Sequence, residues 1–291
     1  MAGHVSKNLQ FLRDTFGSGS LFAPEDQDQF TVDGVEFVCD YDTGSTPERF
    51  ILVKPARFAA AYRTLIERFA GSSIVELGIA EGGSTALIAV AVAPRRLLAF
   101  DIEPVRVPAL DELVARRGLG DVVVAHYGVD QSDGERLGAL VDEGLAGDVL
   151  DAVIDDASHD VGLTRASFDT LFPRLRPGGT YVIEDWQNDL VFQAAVAEAL
   201  RAGGPEVREE LRAQIQAQAQ GGAATPAPAE RRPLADLVVE AMIACALDTP
   251  SGIAEVRITP FWIEVVRDDR PLDPQGYHLS DLAPDHYHYL G

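Results

Sequence analysis

The chain is predicted to adopt an α/β fold with a mostly parallel sheet covered on both faces. From residue 72, apolar strand-like runs alternate with helical patterns at the spacing of βαβ units. Several of those runs stop at acidic residues, namely Asp101, Asp155-Asp156 and Glu184-Asp185. The earliest run, Ser73–Leu77, is followed by a glycine-rich turn, Gly78-Ile79-Ala80-Glu81-Gly82-Gly83, which opens a helix. In a parallel sheet the strand C-termini face one crevice, so these acids and glycines are expected at one mouth.

Residues 1–55 read as an N-terminal extension, with a short helix at Ser6–Thr15. The pair Gln29–Val32 and Val35–Cys39 flanks Asp33-Gly34, a two-residue hairpin signal. A helix over Pro55–Phe69 follows from the spacing of Phe58, Tyr62, Leu65, Ile66 and Phe69. The regular part is then strand Ser73–Leu77, helix Ser84–Val92, strand Arg96–Phe100, helix Pro108–Arg117, strand Val122–Tyr127 and helix Ser132–Glu143. Leu150–Ile154 is a strand, Leu163–Leu175 a helix, and Arg176-Pro177-Gly178-Gly179 leads into the strand Thr180–Ile183. Beyond it come a helix over Asp189–Ala202, a polar helix over Val207–Gln220, an Ala/Pro-rich stretch to Ala229 and a helix at Leu234–Leu247. Ala254–Ile258 and Phe261–Val266, broken by Thr259-Pro260, read as an antiparallel hairpin completing the sheet. The tail from Tyr277 is rich in His and Tyr at irregular spacing, which reads as a surface tail rather than a second metal site. A division into an extension (1–55) and a main domain (56–291) with an insertion at 205–232 follows; the insertion is read as a lid or as an inert segment.

The 291 residues carry 46 acidic against 24 basic side chains, a net charge of −22. That field repels phosphate backbones, which argues against nucleic acid as a partner. No apolar run approaches a membrane span, and Met1–Lys7 lacks the apolar core of a secretory signal. Cys39 and Cys245 have no metal-type spacing and are expected as free thiols in a reducing compartment, the cytoplasm. Only Lys7 and Lys54 are lysine, a composition of the kind GC-rich genomes encode.

Two groups of residues carry chemistry. Glu76, Gly78, Glu81, Gly82 and Ser84 form a turn where a backbone can approach a ligand and helix N–H groups face it. Its spacing is not that of dinucleotide enzymes, and an acid at Glu76 suits an ammonium better than a pyrophosphate. Asp101, ending the next strand, is placed for ribose hydroxyls, and Asp130-Gln131 for an adenine. In the second group, Asp156, Glu184 and Asp185 are carboxylates crowded at adjacent strand ends, a strain that a hard divalent ion relieves. His159, three residues after Asp156, is placed to take a proton from whatever binds such an ion. Each residue also has a plainer reading: His159 or Asp156 as a helix cap, Glu184-Asp185 as a solvated loop, and Asp155 as a rival for the ligand role.

The order Glu76-x-Gly78, Asp101, Asp130, then Asp156 to Trp186, resembles class I S-adenosylmethionine-dependent methyltransferases. The stretch Asp156-Ala157-Ser158-His159, Arg176-Pro177-Gly178-Gly179 and Tyr181-Val182-Ile183-Glu184-Asp185-Trp186 is similar to the metal-dependent sugar O-methyltransferases of actinobacteria. Those enzymes modify macrolide deoxysugars, rhamnosyl groups and mycobacterial polymethylated polysaccharides; the cephalosporin-hydroxylase-like group shares part of the pattern. The resemblance covers about residues 70–190. It implies a Rossmann-like, doubly wound sheet of seven strands with an antiparallel C-terminal hairpin. It also implies S-adenosylmethionine bound by Glu76, Gly78, Glu81, Gly82, Ser84, Asp101, Asp130, Gln131 and Asp155. Mg2+ would be held by Asp156, Glu184 and Asp185, with His159 as general base.

The implied activity is transfer of a methyl group to a hydroxyl of an oligosaccharide, polysaccharide precursor or glycosylated natural product. Competing readings are an enzyme or hydroxylase-associated protein acting on a non-sugar product, and a non-catalytic S-adenosylmethionine-binding protein. The extension is read as a substrate cap or as the contact of a homo-oligomer.

Overall fold

The computed structural model describes residues 29–40, 43–54, 56–187, 233–247 and 250–282, with scattered positions between 190 and 204. The expected helices at 6–15 and 207–220, the insertion at 205–232 and the end of the tail lie outside the described residues. The elements are β1 (Gln29–Val32), β2 (Val35–Cys39), β3 (Arg49–Leu52), α1 (Ala56–Glu67), β4 (Ser73–Leu77), α2 (Gly83–Ala91), β5 (Arg96–Asp101), α3 (Pro108–Arg117) and β6 (Val123–Tyr127). They continue with α4 (Gly134–Leu145), β7 (Leu150–Asp155), α5 (Val161–Leu171), β8 (Leu175–Glu184), α6 (Ala235–Ala246), β9 (Ile253–Ile258) and β10 (Trp262–Arg267).

The main sheet has the expected seven strands, and their order is β6-β5-β4-β7-β8-β10-β9. Strands β4 to β8 pair in parallel, while β10 is antiparallel to both β8 and β9. The chain runs outward from β4 to β6 and then returns to β7 on the other side of β4, so the strand order reverses between β4 and β7. A crevice opens at such a reversal.

Alternation along each strand divides the core in two. Ile74, Leu97, Ala99, Ile154 and Val182 pack on one face, with α1, α2, α3 and the N-terminal strands. Val75, Leu98, Phe100, Val153, Tyr181 and Ile183 pack on the other, with α4, α5 and α6. Both faces are covered, which is why these strands carry apolar residues on both sides instead of alternating apolar with polar. The same alternation assigns the polar strand-end residues. Glu76, Asp101 and Glu184 fall on the face of α1 and α2, whereas Asp155 falls on that of α5.

The extension is more than a hairpin. Asp33 (φ 47°) and Gly34 (φ 76°) make the expected turn between β1 and β2. A third strand, β3, then pairs in parallel with β2, a feature the sequence reading missed. Phe37, Phe50 and Leu52 join the same core as Leu87 and Ile88 of α2. A Cβ at Gly83 would stand 2.0 Å from the carbonyl oxygen of Ile51, so β3 lies directly on the first turn of α2.

Two other expectations need adjustment. The helix expected over Leu163–Leu175 begins at Val161 and ends at Leu171, followed by a 3-10 turn at Phe172–Arg174. Pro173 has no N–H to continue the α-helical ladder. The tail is docked at its start: Tyr277 and Leu279 are buried, and the Tyr277 hydroxyl donates to Ser251 O at 3.0 Å. His278 Nδ1 lies 3.4 Å from Asp169, while His286, Tyr287 and His288 lie outside the described residues.

Candidate active site

The first wall of the crevice is the β4–α2 turn. Gly78 has φ +97°, and a Cβ there would stand 2.3 Å from the carbonyl oxygen of Asp156. Only glycine allows both the backbone conformation and the contact that brings the end of β7 against the end of β4. Asp101 braces this turn, since its Oδ2 accepts from the N–H groups of Ile79 and Ala80 at 2.9 Å each and its Oδ1 from Glu103 at 2.8 Å. A carboxylate offers about four acceptor sites, so Asp101 keeps capacity for a hydroxyl. A cleft of about 300 Å3 lies beside the turn, lined by Gly78, Ile79, Ala80, Glu81, Gly83, Ser84, Asp156 and residues 51–54 of the N-terminal segment.

Glu76 is 1% exposed, and its Oε2 has no hydrogen-bond partner among the described residues. Burial pushes its pKa up to about 7. An unpaired buried carboxylate oxygen is costly on its own and fits a ligand that brings a cation.

The second wall is the carboxylate cluster. His159 Nε2 lies 3.0 Å from Asp156 Oδ1 and 3.9 Å from Asp185 Oδ2, and single ligand atoms of all three gather within 4.8 Å. His159 (φ 52°) and Asp185 (φ 54°) both sit in the left-handed region, an uncommon backbone state that clusters at functional sites. Burial alone would lower the His159 pKa, but the bond to Asp156 and the charges of Asp185 and Asp155 push it up to about 9.

Glu184 lies deeper, fully buried, with Oε2 accepting from Lys54 Nζ at 2.6 Å and Oε1 without a partner among the described residues. Burial and the neighbouring Asp156 and Asp185 raise its pKa to about 8, with Lys54 opposing. Lys54 also donates to Asp156 Oδ2 at 2.6 Å. Burial works against the Asp156 anion, yet Lys54 and His159 hold its carboxyl well below the usual range. The sequence reading noted Lys54 only as one of two lysines and gave it no place in the site, because it belongs to no motif. Its rarity in an arginine-rich chain was the one available signal.

The plainer readings can now be compared with geometry. Helix α5 is capped by Asp160, whose Oδ1 accepts from Gly162 and Leu163 N–H groups, so neither His159 nor Asp156 serves as its cap. Asp155 faces away from the cluster, and its Oδ2 accepts from Ser167 (2.8 Å) and Tyr181 (2.7 Å). Burial pushes it up to about 6, and those two hydroxyls oppose the shift. Gln131 is buried too, donating to Ser167 Oγ at 3.0 Å and accepting from the Ser158 N–H at 3.2 Å, which ties its loop to that of His159. Asp130 is exposed and accepts from the N–H and hydroxyl of Ser132. Glu81, Gly82 and Ser84 stand in the turn, where Gly82 is the left-handed residue before α2 (φ 78°). Trp186 donates to Thr259 O at 3.1 Å, fastening the end of β8 to the β9–β10 turn.

Residues 75–186 match the protein family described as a methyltransferase domain, which bears out the resemblance drawn from the sequence. A 74-residue stretch is 46% identical to the 8-demethyl-8-alpha-L-rhamnosyl tetracenomycin-C 2'-O-methyltransferase of Streptomyces olivaceus, covering 25% of this chain and 19% of that one. A 36-residue stretch is 61% identical to the mycinamicin VI 2''-O-methyltransferase of Micromonospora griseorubida, covering 12% and 9%. The chain therefore spans less than a fifth of the length of these curated relatives. Among solved structures, the MycE methyltransferase in complex with Mg, SAH and mycinamycin VI aligns at 21% identity with a TM-score of 0.45, over 74% of this chain and 49% of that one. No described helix is long and apolar enough to cross a membrane.

Proposed function

We propose that the chain is an S-adenosylmethionine-dependent O-methyltransferase that uses a divalent ion, Mg2+ in the cell, to methylate a hydroxyl of a carbohydrate or glycosylated small molecule. The observation that carries this reading is the sharing of one crevice by two unsatisfied anionic features. One is Glu76, with a buried, unpartnered oxygen; the other is the Asp156–His159–Asp185 cluster with the orphaned Oε1 of Glu184 behind it. The first fits the ammonium of the methyl donor and the second fits a hard cation. The Streptomyces olivaceus relative is named for a rhamnosyl-bearing substrate, which supports a sugar acceptor.

The residues divide the work as follows. Glu76 binds the donor's ammonium, the Gly78–Gly83 turn lets the donor lie against the backbone, and Asp101 serves the ribose, with Asp130 and Gln131 at the base. Asp156, Asp185 and Glu184 would hold the metal. A divalent ion in such a site lowers the pKa of an alcohol bound to it. The acceptor oxygen attacks the methyl carbon, the carbon–sulfur bond breaks, and the sulfonium becomes a neutral thioether. His159 takes the hydroxyl proton at Nε2. It can do so only when neutral, and the carboxylate field that holds its pKa near 9 is what a cation in the cluster would relieve. The β3 segment excludes water from the donor side; the insertion at 205–232 is proposed as the lid on the acceptor side.

The test is release of S-adenosylhomocysteine over a panel of mannosides, glucosides, rhamnosides and their oligomers, with Mg2+ or with EDTA. The expected outcome is turnover on one sugar class that chelation abolishes and Mg2+ restores. Silence across the panel, with donor binding intact, would refute the sugar reading.

A further inference from the structure

Neither wall of the proposed mechanism uses the ammonium of Lys54. It is 6% exposed and reaches the cluster from the N-terminal segment. It bonds one oxygen of Asp156 and one of Glu184, at 2.6 Å each. The aromatic rings of Phe58 and Tyr62, at 4.8 and 4.9 Å, form a pedestal beneath it, which favours a cation there and fixes its height. The geometry leaves Asp156 Oδ1 on His159 and Glu184 Oε1 without a partner among the described residues.

Charge counting gives this arrangement a meaning. A bound ion requires its ligands deprotonated; in that state Asp156, Glu184 and Asp185 as carboxylates, His159 neutral and Lys54 as ammonium give the cluster a charge of −2. A divalent ion neutralises that site; a trivalent ion overcharges it. We infer that Lys54 is a built-in counter-cation that matches the carboxylate cluster to a divalent ion and discriminates against a trivalent one. The inference rests on the metal reading above. It makes Lys54 a positioning and selectivity residue, contributed by a segment outside the matched methyltransferase region. Each extra unit of ionic charge beside a fixed ammonium a few ångströms away meets repulsion of about tenfold or more in affinity at an effective dielectric of ~20. An arginine, with a larger planar head, would not occupy the same point between two carboxylates.

The experiment measures dissociation constants of Mn2+ and Tb3+ for the full chain by electron paramagnetic resonance and luminescence titration. Asp156→Asn reports the background of the acidic surface. Lys54→Met keeps the stem over the rings and removes the charge, leaving −3. The ratio of Tb3+ to Mn2+ affinity is expected to rise about tenfold or more. Lys54→Met with Glu184→Gln restores −2, and the ratio is expected to return toward the wild-type value, which mere loss of structure would not do. Far-UV circular dichroism and thermal melting establish that each variant is folded. If Lys54→Met does not fold, Glu184→Gln alone, at −1, must lower the ratio. An unchanged ratio with Mn2+ still bound overturns the role of Lys54 and leaves the metal reading standing. Mn2+ binding to Lys54→Met but not to the wild type means that the ammonium replaces the ion, and also overturns it. No site-specific Mn2+ binding to either protein removes the metal reading itself.

Discussion

The two walls of the crevice hold buried glutamates in contrasting electrostatic settings. Glu76 and Glu184 both end up 0–1% exposed, and both keep one oxygen without a hydrogen-bond partner. Glu184 has an ammonium at 2.6 Å on its other oxygen, whereas Glu76 has no cation in hydrogen-bond contact among the described residues. The lesson is that burial by itself does not say what a carboxylate waits for. In the proposed function, Glu76 takes its positive charge from the ligand. Glu184 already shares one, and what remains unbalanced around it is the crowding of Asp156 and Asp185.

The sharpest way to break this contrast is at the proton acceptor. His159→Ala is expected to lower turnover by roughly 10²- to 10⁴-fold, the usual weight of general-base catalysis, while donor affinity stays within a few-fold. Steady-state rates beside calorimetric titration with S-adenosylhomocysteine check both halves, and unchanged turnover would remove His159 from the mechanism.

The opposite wall responds in the opposite quantity. Glu76→Gln is expected to weaken S-adenosylhomocysteine binding by roughly tenfold or more, the worth of a charged hydrogen bond, and to leave Mn2+ affinity within a few-fold. The wild-type pH profile carries the same information. With its pKa pushed up to about 7, Glu76 is ionised above that value and protonated below it. Donor affinity should therefore fall as pH drops through about 7, and Glu76→Gln should flatten the profile. A sloped profile in that variant would point to another group.

A smaller effect tests the joint between the walls. Gly78→Ala puts a methyl 2.3 Å from the Asp156 carbonyl oxygen at φ +97°. The backbone term alone costs about 1–2 kcal/mol, and the clash adds to it, so the melting temperature should fall by several degrees. Because the displaced atom belongs to Asp156, metal affinity should weaken as well. Gly71→Ala, also at positive φ but with nothing within 4 Å of its Cβ, should lose stability only.

Much of the sheet and the chemistry-bearing residues were legible in the sequence. The runs 73–77, 96–100 and 150–154 carry apolar side chains on both faces because both faces are covered, and helical periodicity between them leaves one topology class. The strand-end acids could be grouped because strand C-termini share one edge in a parallel sheet. The helix expected over Ser132–Glu143 forms as α4, capped by Asp133, whose Oδ1 accepts from the Arg136 N–H. β3 was missed, since Arg49-Phe50-Ile51-Leu52 is short and has no alternation to separate strand from loop.

By itself, the sequence determined the strands of the main sheet and which acids stand at their ends, because those follow from local periodicity. Only the tertiary structure decided between Asp155 and Asp156. Side chains alternate along a strand, and the face holding Tyr181 and Ser167 claims the first, while the crevice receives the second. Only it brought Lys54 to Glu184, across 130 positions of chain. A lone lysine carries no periodicity and no motif, and its partner is set by where a three-stranded sheet comes to rest on α2.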